Sequence, residues 1–207
     1  TLATLAVRTW LPSLLAVPVG IACATMSWQV LVDDLGSPVG PARGGQIFLV
    51  GQLGKYVPGS VWAYILQLEL GRRAGVARAR VFTANVFSLA VAVVAALTVG
   101  SLAIPSVTHA NPGLERLRWL YVLLPFGIVG LHPRVLSWTA SKSFQVLGRP
   151  ALDHRIRKRT VARSLGWALA SYLAFGTHLW LLMRASTPIS VSALPLTIGT
   201  MARIIPV

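Results

Sequence analysis

The chain has 207 residues, of which 55% are hydrophobic and only 12% charged, and 19 basic residues against five acidic ones give a formal net charge of +14. A soluble domain of this length would need roughly a quarter of its residues charged to cover its exterior. The mean hydropathy of +0.68 instead indicates an all-α, polytopic integral membrane protein. The single cysteine, Cys23, excludes an internal disulfide and a cysteine zinc site.

Charge-free apolar runs predict the membrane spans in chain order. Residues 9–32 predict the first span, because membrane helices tolerate prolines such as Pro12 and Pro18. Further crossings are predicted at residues 81–110, 119–133 (a short one) and 164–183, and another apolar segment opens at 185–202. Because the first residue is Thr and the pattern is unfinished at the end, we expect residues 1–207 to be a single transmembrane domain that is a fragment and continues beyond residue 207.

The apolar segment 44–70 is interrupted at its centre by Lys55 and by Pro58-Gly59. As one crossing helix it would carry Lys55 near mid-membrane, at a cost of about 3 kcal/mol. As a re-entrant hairpin it would have two arms of roughly 16–21 Å, which reach the middle of the bilayer without crossing it. Irregular backbone at that depth requires surrounding protein or a polar cavity. Both interpretations stay open at this point.

Basic loops predict the orientation of the chain. Residues 71–80 carry four arginines, and residues 149–163 carry six basic residues. Both loops are expected on the cytoplasmic side, as two crossings separate them. The alternative is that the basic residues form a docking patch for anionic lipid headgroups. Nucleic-acid binding is disfavoured because no soluble module carries these residues.

Two nine-residue stretches suggest an internal repeat. Residues 51–59, GQLGKYVPG, align with residues 199–207, GTMARIIPV, so that Lys55 corresponds to Arg203 and Pro58 to Pro206. If segment 44–70 is re-entrant, the two halves run in opposite directions, which is the inverted repeat found in many transporters.

The interrupted segment is also the best candidate binding site. Ser60 is predicted to cap a second helical arm, which would direct the free N–H groups of residues 61–63 and the positive end of the helix dipole to one point. Lys55 lies one turn earlier, and a phosphate is the anion that such a site favours. The alternative is a kinked crossing helix in which Lys55 extends to the membrane interface. The predicted substrate-binding residues are Lys55, Tyr56, Pro58, Gly59, Ser60, Trp62 and Arg203.

Other polar residues indicate helix packing rather than catalysis. The amides of Gln46, Gln52, Gln67 and Asn85 could line a cavity, but such groups more often tie membrane helices together. His178, with Ser171 seven residues earlier, is expected to be a packing histidine on a polar helix face. Asp33 could act as a base in a lipid-dependent glycosyltransferase, although a solvated helix end is the simpler interpretation. We therefore expect no enzyme activity, cofactor or metal.

A family resemblance rests on the run GQLGKYVPGSVWAYILQLELGRRAGV, residues 51–76, and on Leu131-His132-Pro133. These stretches resemble the flippase-like transmembrane domain of lysylphosphatidylglycerol synthases and their stand-alone relatives. The pattern Gly-x-Tyr-x-Pro-Gly-x-x-Trp is matched from Gly54 to Trp62. A later family element with Pro-Gly-Gly would begin near Pro206, where Val207 replaces the first Gly. The resemblance implies translocation of a lipid or a lipid-linked glycan without a cofactor.

Two function classes follow as expectations. The first is a lipid or lipid-linked glycan translocator of the bacterial plasma membrane, whose partner is an anionic phospholipid or a polyprenyl-phosphate-linked glycan. The second is a non-transporting membrane module that presents a lipid acceptor to a fused or associated synthase or glycosyltransferase. The sequence does not identify the lipid.

Overall fold

The computed structural model describes residues 2–36, 38–56, 58, 61–110, 115, 117, 119–132, 134–138 and 156–186. Within these ranges all regular elements are helices and there is no strand, which confirms the all-α prediction. The main helices are α1 (Leu2–Asp34), α2 (Gly40–Leu53), α3 (Trp62–Arg73), α4 (Arg78–Ala110), α5 (Leu120–Gly130) and α6 (Lys158–Ser186). A 3₁₀ turn at Gly54–Tyr56 follows α2, and residues 134–138 form a short helical segment.

Three of the helices are long and apolar enough to cross a membrane. Their candidate spans are Trp10–Asp34, Arg78–Pro105 and Lys158–Met183, of 25, 28 and 26 residues. They coincide with three of the predicted crossings, and their length and composition are compatible with a membrane protein. Helix α6, the third of these spans, begins at Lys158, six residues before the predicted start at Ser164, because helical hydrogen bonding continues beyond the apolar run. Lys158, Arg159 and Arg163, predicted in a loop, therefore lie on the first turns of α6.

The other apolar segments differ from a simple crossing pattern. The predicted short span 119–133 contains α5, whose 11 residues extend only about 16 Å. This helix is too short to cross a hydrocarbon core of about 30 Å by itself. Segment 44–70 contains two separate helices rather than one, since α2 and α3 have 14 and 12 residues. The apolar segment 185–202 falls almost wholly outside the described residues.

The chain divides into two compact units. The first unit comprises Thr1–Cys23, Ala92–Ile128 and Ala168–Val207, and the second comprises Ala24–Val91 and Val129–Trp167. In the first unit the core includes the α4 side chains Val94, Ala95 and Val99. In the second unit, Trp28 and Leu31 of α1 and Phe87 of α4 are almost completely buried. The C-terminal part of α1 is therefore enclosed by its neighbours in the second unit.

Helices α1 and α6 are antiparallel and pair through residues seven apart. In the first unit, the hydroxyl of Ser13 lies 2.8 Å from His178 Nδ1, and Ser171 donates to the carbonyl of Gly20 at 2.8 Å. In the second unit, the hydroxyls of Ser27 and Ser164 are 3.0 Å apart, and each lies 2.9 Å from the other's carbonyl oxygen.

The next pair along α1 joins Asp34 to Arg157. The Asp34 carboxylate accepts the backbone N–H of Arg157 at 3.0 Å and lies 3.5 Å from the Arg157 guanidinium. On α1 the paired positions are 13, 20, 27 and 34, and on α6 and the residue before it they are 178, 171, 164 and 157. A seven-residue spacing is typical of helices that supercoil around each other. We call this set of four pairs the α1–α6 seam.

Candidate functional site

Helices α2 and α3 form a tightly packed antiparallel hairpin. Gly51 of α2 lies against the side chain of Gln67, and Gly54 lies against the backbone of Ala63 on α3. A Cβ added to Gly54 would be 2.6 Å from both the Cα and the N of Ala63, a separation that real Cβ atoms do not adopt. Glycine is therefore required at the closed end of the hairpin, because any side chain would separate the two helices.

The same hairpin packs on the long helices of the second unit through further small residues. Gly44 lies over Gln29 of α1, where a Cβ would be 2.7 Å from the side-chain oxygen. Phe48 packs beside Trp28 with ring centroids 5.9 Å apart. At the other end of the hairpin, Gly71 contacts Val81 of α4. These close contacts fix the position of the interruption between the end of α2 at Leu53 and the start of α3 at Trp62, which we call the break.

The break itself runs from the 3₁₀ turn to the start of α3. Gly54, Lys55 and Tyr56 form the turn, and Pro58 is exposed. Helix α3 begins at Trp62, and its N-cap position is Val61, which makes no side-chain capping bond. Val61 has a helical φ of −77° and ψ of −24°, and its carbonyl accepts the N–H of Ile65 at 3.1 Å. Ser60, the predicted N-cap, lies outside the described residues, so that prediction stays a prediction.

The predicted substrate-binding residues are only partly described. Tyr56 is 87% exposed and Trp62 is 47% exposed. For Lys55 the backbone is placed in the 3₁₀ turn, while Gly59, Ser60 and Arg203 lie outside the described residues, as does the second copy of the proposed repeat. The break is present where the sequence predicts it, and the anion site stays a prediction.

Polar side chains are concentrated in the core of the second unit. Trp28 donates to Asn85 Oδ1 at 2.6 Å, which confirms the prediction that Asn85 ties helices together. Gln67 is buried against Gly51, whereas Gln46 is exposed and Gln52 is half-buried. The amides therefore fill helix contacts more than they line a cavity. Among the described residues of this unit, the buried atoms Gln29 Oε1 and Asn85 Nδ2 have no hydrogen-bond partner.

His178 is a packing residue, as the sequence suggested. Its Nδ1 lies 2.9 Å from the carbonyl oxygen of Ser13 and 2.8 Å from the Ser13 hydroxyl. Ser171, on the same face of α6, is bonded to Gly20. The side chains of both residues are therefore used to hold α6 against α1. Ser13, Gly20 and Ser27 recur every seven residues and so mark one face of α1, but this spacing does not identify α6 as the partner helix.

Nine basic residues gather at one end of the second unit, and we call them the basic rim: Arg43, Arg72, Arg73, Arg78, Arg80, Arg157, Lys158, Arg159 and Arg163. Contacts join the elements that carry them. Arg80 donates to the carbonyl of Gly36 at 3.0 Å, Arg157 pairs with Asp34, and Arg78 donates to Glu69 at 2.9 Å. With the bond from the N–H of Val39, just before α2, to Asp33, these contacts bring together the ends of α1, α2, α3, α4 and α6 that carry the rim residues.

Glu69 is the acceptor for three arginines of this rim. Its carboxylate accepts hydrogen bonds from Arg72, Arg78 and Arg73, and the Arg72 bond contributes most to holding the pKa of Glu69 well below its usual value of 4.5. The pKa of Arg72 is raised in return. One carboxylate cannot neutralise three guanidinium groups, so this corner keeps a net positive charge.

Asp33, which by sequence could act as a catalytic base, lies at the end of α1. It accepts the backbone N–H of Val39 at 3.3 Å and is half-buried. No group of three metal-ligating side chains occurs among the described residues. The contact with Val39 is that of a carboxylate closing a turn after a helix, which agrees with the structural interpretation of Asp33.

Comparison of the chain with protein-family models, with curated proteins and with solved structures finds no match.

Proposed function

We propose that the chain translocates a lipid or a lipid-linked glycan across the bacterial plasma membrane, as a multi-pass protein with residues 71–80 and 149–163 on the cytoplasmic side. The observation that carries this proposal is the α2–α3 hairpin, which combines helices too short to cross with a break between them. The sequence of the break resembles that of the flippase-like family, and the proposal includes membership of the chain in that family.

The lengths of the two helices support a re-entrant arrangement. At 1.5 Å per residue, α2 extends about 21 Å and α3 about 18 Å, against a hydrocarbon core of about 30 Å. The glycine contacts keep the two helices side by side, and the contact between Arg80 and Gly36 brings the chain before α2 close to the chain after α3. Both ends of the hairpin then lie on one face of the membrane, with the break inside it.

The break is suited to an anionic headgroup. The first N–H groups of α3 have no partner within the helix, and they lie at the positive end of its dipole. In our proposal Lys55 adds the charge, Tyr56 and Trp62 flank the phosphate, and Pro58-Gly59 with Ser60 keep the two helices from joining. Arg203 supplies the corresponding cation in the second half of an inverted repeat.

Transport in reconstituted vesicles tests the proposal. Candidate phospholipids and polyprenyl-phosphate-linked glycans are placed in one leaflet, and their appearance in the other is followed by a membrane-impermeant reagent. Lys55→Gln is expected to slow transport about tenfold or more, because a hydrogen bond to a charged group contributes about 1.5–3 kcal/mol. Lys55→Arg keeps part of the rate, since guanidinium also binds phosphate.

Lys142→Gln is the matched control, since it removes the same charge from the sequence between the predicted crossing 119–133 and the basic loop 149–163. Pro58→Ala is expected to slow transport by allowing the two helices to join, and its effect should not add to that of Lys55→Gln, because both changes remove one site. Wild-type transport by a well-inserted Lys55→Gln protein would contradict the anion site, and no transport of any candidate by the wild-type chain would contradict translocation.

Cysteine labelling tests the re-entrant hairpin separately. In a Cys23→Ala background, Ser37→Cys and Ala77→Cys should both react with an impermeant thiol reagent from the same side of right-side-out vesicles. Reaction from opposite sides would show that the segment crosses, and it would also remove the inverted repeat.

The second candidate function is the non-transporting module that presents a lipid acceptor to a synthase or glycosyltransferase. The filled interior of the hairpin favours it, because Gln67 packs directly on Gly51 and leaves no space between α2 and α3. This module would bind lipid at the break without moving it. Binding of the lipid in detergent together with an absence of transport in vesicles distinguishes it from the first.

A further inference from the structure

We propose that the basic rim is a docking surface for anionic phospholipid headgroups of the leaflet in which it lies. This surface is separate from the break between α2 and α3, and its lipid is not the transported one. The proposal therefore stands whether or not the chain translocates lipid.

The first argument is the charge on this surface. Eight of the nine rim side chains are exposed, and Arg80 is half-buried. The side chains of Arg73 and Arg157 are 73% and 75% exposed. Among the described residues three carboxylates lie near them: Glu69 is shared by three arginines, Asp34 is paired with Arg157, and Asp33 accepts the N–H of Val39. Arg43, Lys158 and Arg159 have no acidic partner in the part of the chain that the structure describes.

The second argument is where the rim charges lie on their helices. Helix α4 begins at Arg78 and α6 begins at Lys158, and neither has an acidic residue in its first turn. A cation at a helix N-terminus is opposed by the positive end of the helix dipole. A charge needed only to orient the chain in the membrane could lie anywhere in the loop. Because Glu69 already pairs with Arg78, an external anion would remove this repulsion chiefly at Lys158 and Arg159 on α6.

The third argument identifies the anion as a lipid. The rim lies at the Asp34 end of the first candidate span, at the Arg78 end of the second and at the Lys158 end of the third. Spans of this length end at the headgroup region, so phosphate groups of the bilayer are the anions present there at high local concentration. Exposed basic side chains at this depth reach them without reorganisation of the fold.

Thermal unfolding of the full chain in an uncharged detergent tests the proposal. The melting temperature is measured while phosphatidylglycerol or phosphatidylcholine is added to the micelles at equal mole fraction. We expect phosphatidylglycerol to raise the melting temperature at a lower mole fraction than phosphatidylcholine does, because a ligand of the folded state stabilises it. In 1 M NaCl the difference should disappear, since the Debye length falls to about 3 Å.

Charge removal localises the effect to the rim. Lys158→Gln/Arg159→Gln should raise the half-saturating fraction of phosphatidylglycerol about 25-fold, or fivefold per residue, which corresponds to ~1 kcal/mol for each basic residue near a membrane surface. The control Arg116→Gln/Arg118→Gln removes two charges from the sequence between α4 and α5 and should leave this fraction unchanged. Both variants are compared by the lipid-induced shift, so a change in basal stability does not affect the result.

Three outcomes would overturn the proposal. The two lipids could stabilise the wild-type chain equally, which would leave the basic residues with an orienting role only. The control variant could lose as much affinity as the rim variant, which would indicate a general effect of net charge. Free inorganic phosphate or a soluble polyanion could produce the full shift without lipid, which would indicate a soluble ligand of the rim.

Discussion

The α2–α3 hairpin and the α1–α6 seam both bring helices close together, but they do so with different chemistry. The hairpin uses glycines whose missing side chains are replaced by the neighbouring helix, as at Gly54 against Ala63. The seam uses hydroxyl groups, and at Ser27 and Ser164 each hydroxyl can bond the partner's carbonyl. The hairpin contact requires glycines that carry no side chain, and the seam contact requires hydroxyl groups that are hydrogen-bonded. The hairpin should therefore be the less tolerant of added volume, and the seam should lose only modest energy when its hydroxyls are removed.

The largest expected effect is at the closed end of the hairpin. Gly54→Ala should lower the free energy of unfolding by about 3 kcal/mol, at the upper end of typical overpacking costs, because the new Cβ would meet backbone atoms of Ala63 that cannot rotate away. The φ of −62° at Gly54 is compatible with alanine, so the effect reports packing rather than backbone strain. Chemical or thermal unfolding in detergent measures it.

Gly45→Ala is the matched control on the same helix. A Cβ at Gly45 would meet only a methyl group of Thr25 at 3.9 Å, which is ordinary contact. We expect this variant to be as stable as the wild type or slightly more stable. Equal effects of Gly54→Ala and Gly45→Ala would show that the hairpin is not closely packed and would end the contrast with the seam.

The seam is probed by a double-mutant cycle at its buried serine pair. Ser27→Ala and Ser164→Ala should each lower the free energy of unfolding by about 1 kcal/mol, with a coupling of roughly 0.5–1 kcal/mol, because interhelical hydrogen bonds in membrane proteins are individually weak. Thr98→Val serves as the control, since Thr98 bonds Val94 within its own helix. A coupling near zero would mean that the two hydroxyls do not hold the helices together.

A smaller effect is expected at the charged pair of the seam. Arg157→Gln should lower the free energy of unfolding by about 0.5 kcal/mol, because its side chain is 75% exposed and exposed ion pairs contribute little. Asp34→Ala should cost more, since its carboxylate also accepts the backbone N–H of Arg157. Salt should reduce the effect of Arg157→Gln and leave most of that of Asp34→Ala. A larger loss of stability from Arg157→Gln than from Asp34→Ala would contradict this pairing.

The smallest effect belongs to the open end of the hairpin, at Glu69. Its pKa is lowered by Arg72 and Arg78, so the ionised carboxylate stabilises the folded chain at pH values above its ordinary pKa of 4.5. This contribution decreases as the pH falls below 4.5 toward the lowered pKa. The melting temperature of the wild type should exceed that of Glu69→Gln at pH 7, and the gap should narrow below pH 4.5. Glu115→Gln is the control, and a gap that widens on acidification would contradict the arginine contacts.

The long helices and the position of the break could be predicted from the sequence, whereas the partner of each residue in a helix contact could not. Charge-free runs predict α1, α4 and α6 because burial in a bilayer depends on composition alone. Lys55 and Pro58 indicate the interruption between α2 and α3, because a charge and a proline inside an apolar run both disfavour one continuous membrane helix. The helix boundaries are predicted less accurately, since α6 begins at Lys158 rather than at the predicted Ser164.

The seam required information that no single span contains. Ser13 and His178 are 165 residues apart, and only the fold pairs them. The same is true of Gly51 and Gln67, whose contact depends on how closely two short helices approach. Of the candidate site, the sequence predicted the interruption between α2 and α3, while the phosphate contact at Lys55 stays a prediction.

The seven-residue spacing of the seam has a consequence for the alignment of its two helices. If α6 moved by seven residues along α1, Ser13 would face Ser171 and Gly20 would face Ser164, so small and polar residues would again oppose each other. In that alternative alignment Ser27 would face Arg157, and Asp34 would lose its basic partner. The central serines therefore allow more than one alignment, and the terminal pairs, Ser13 with His178 and Asp34 with Arg157, select one of them, much as a single buried polar residue selects the register of a coiled coil.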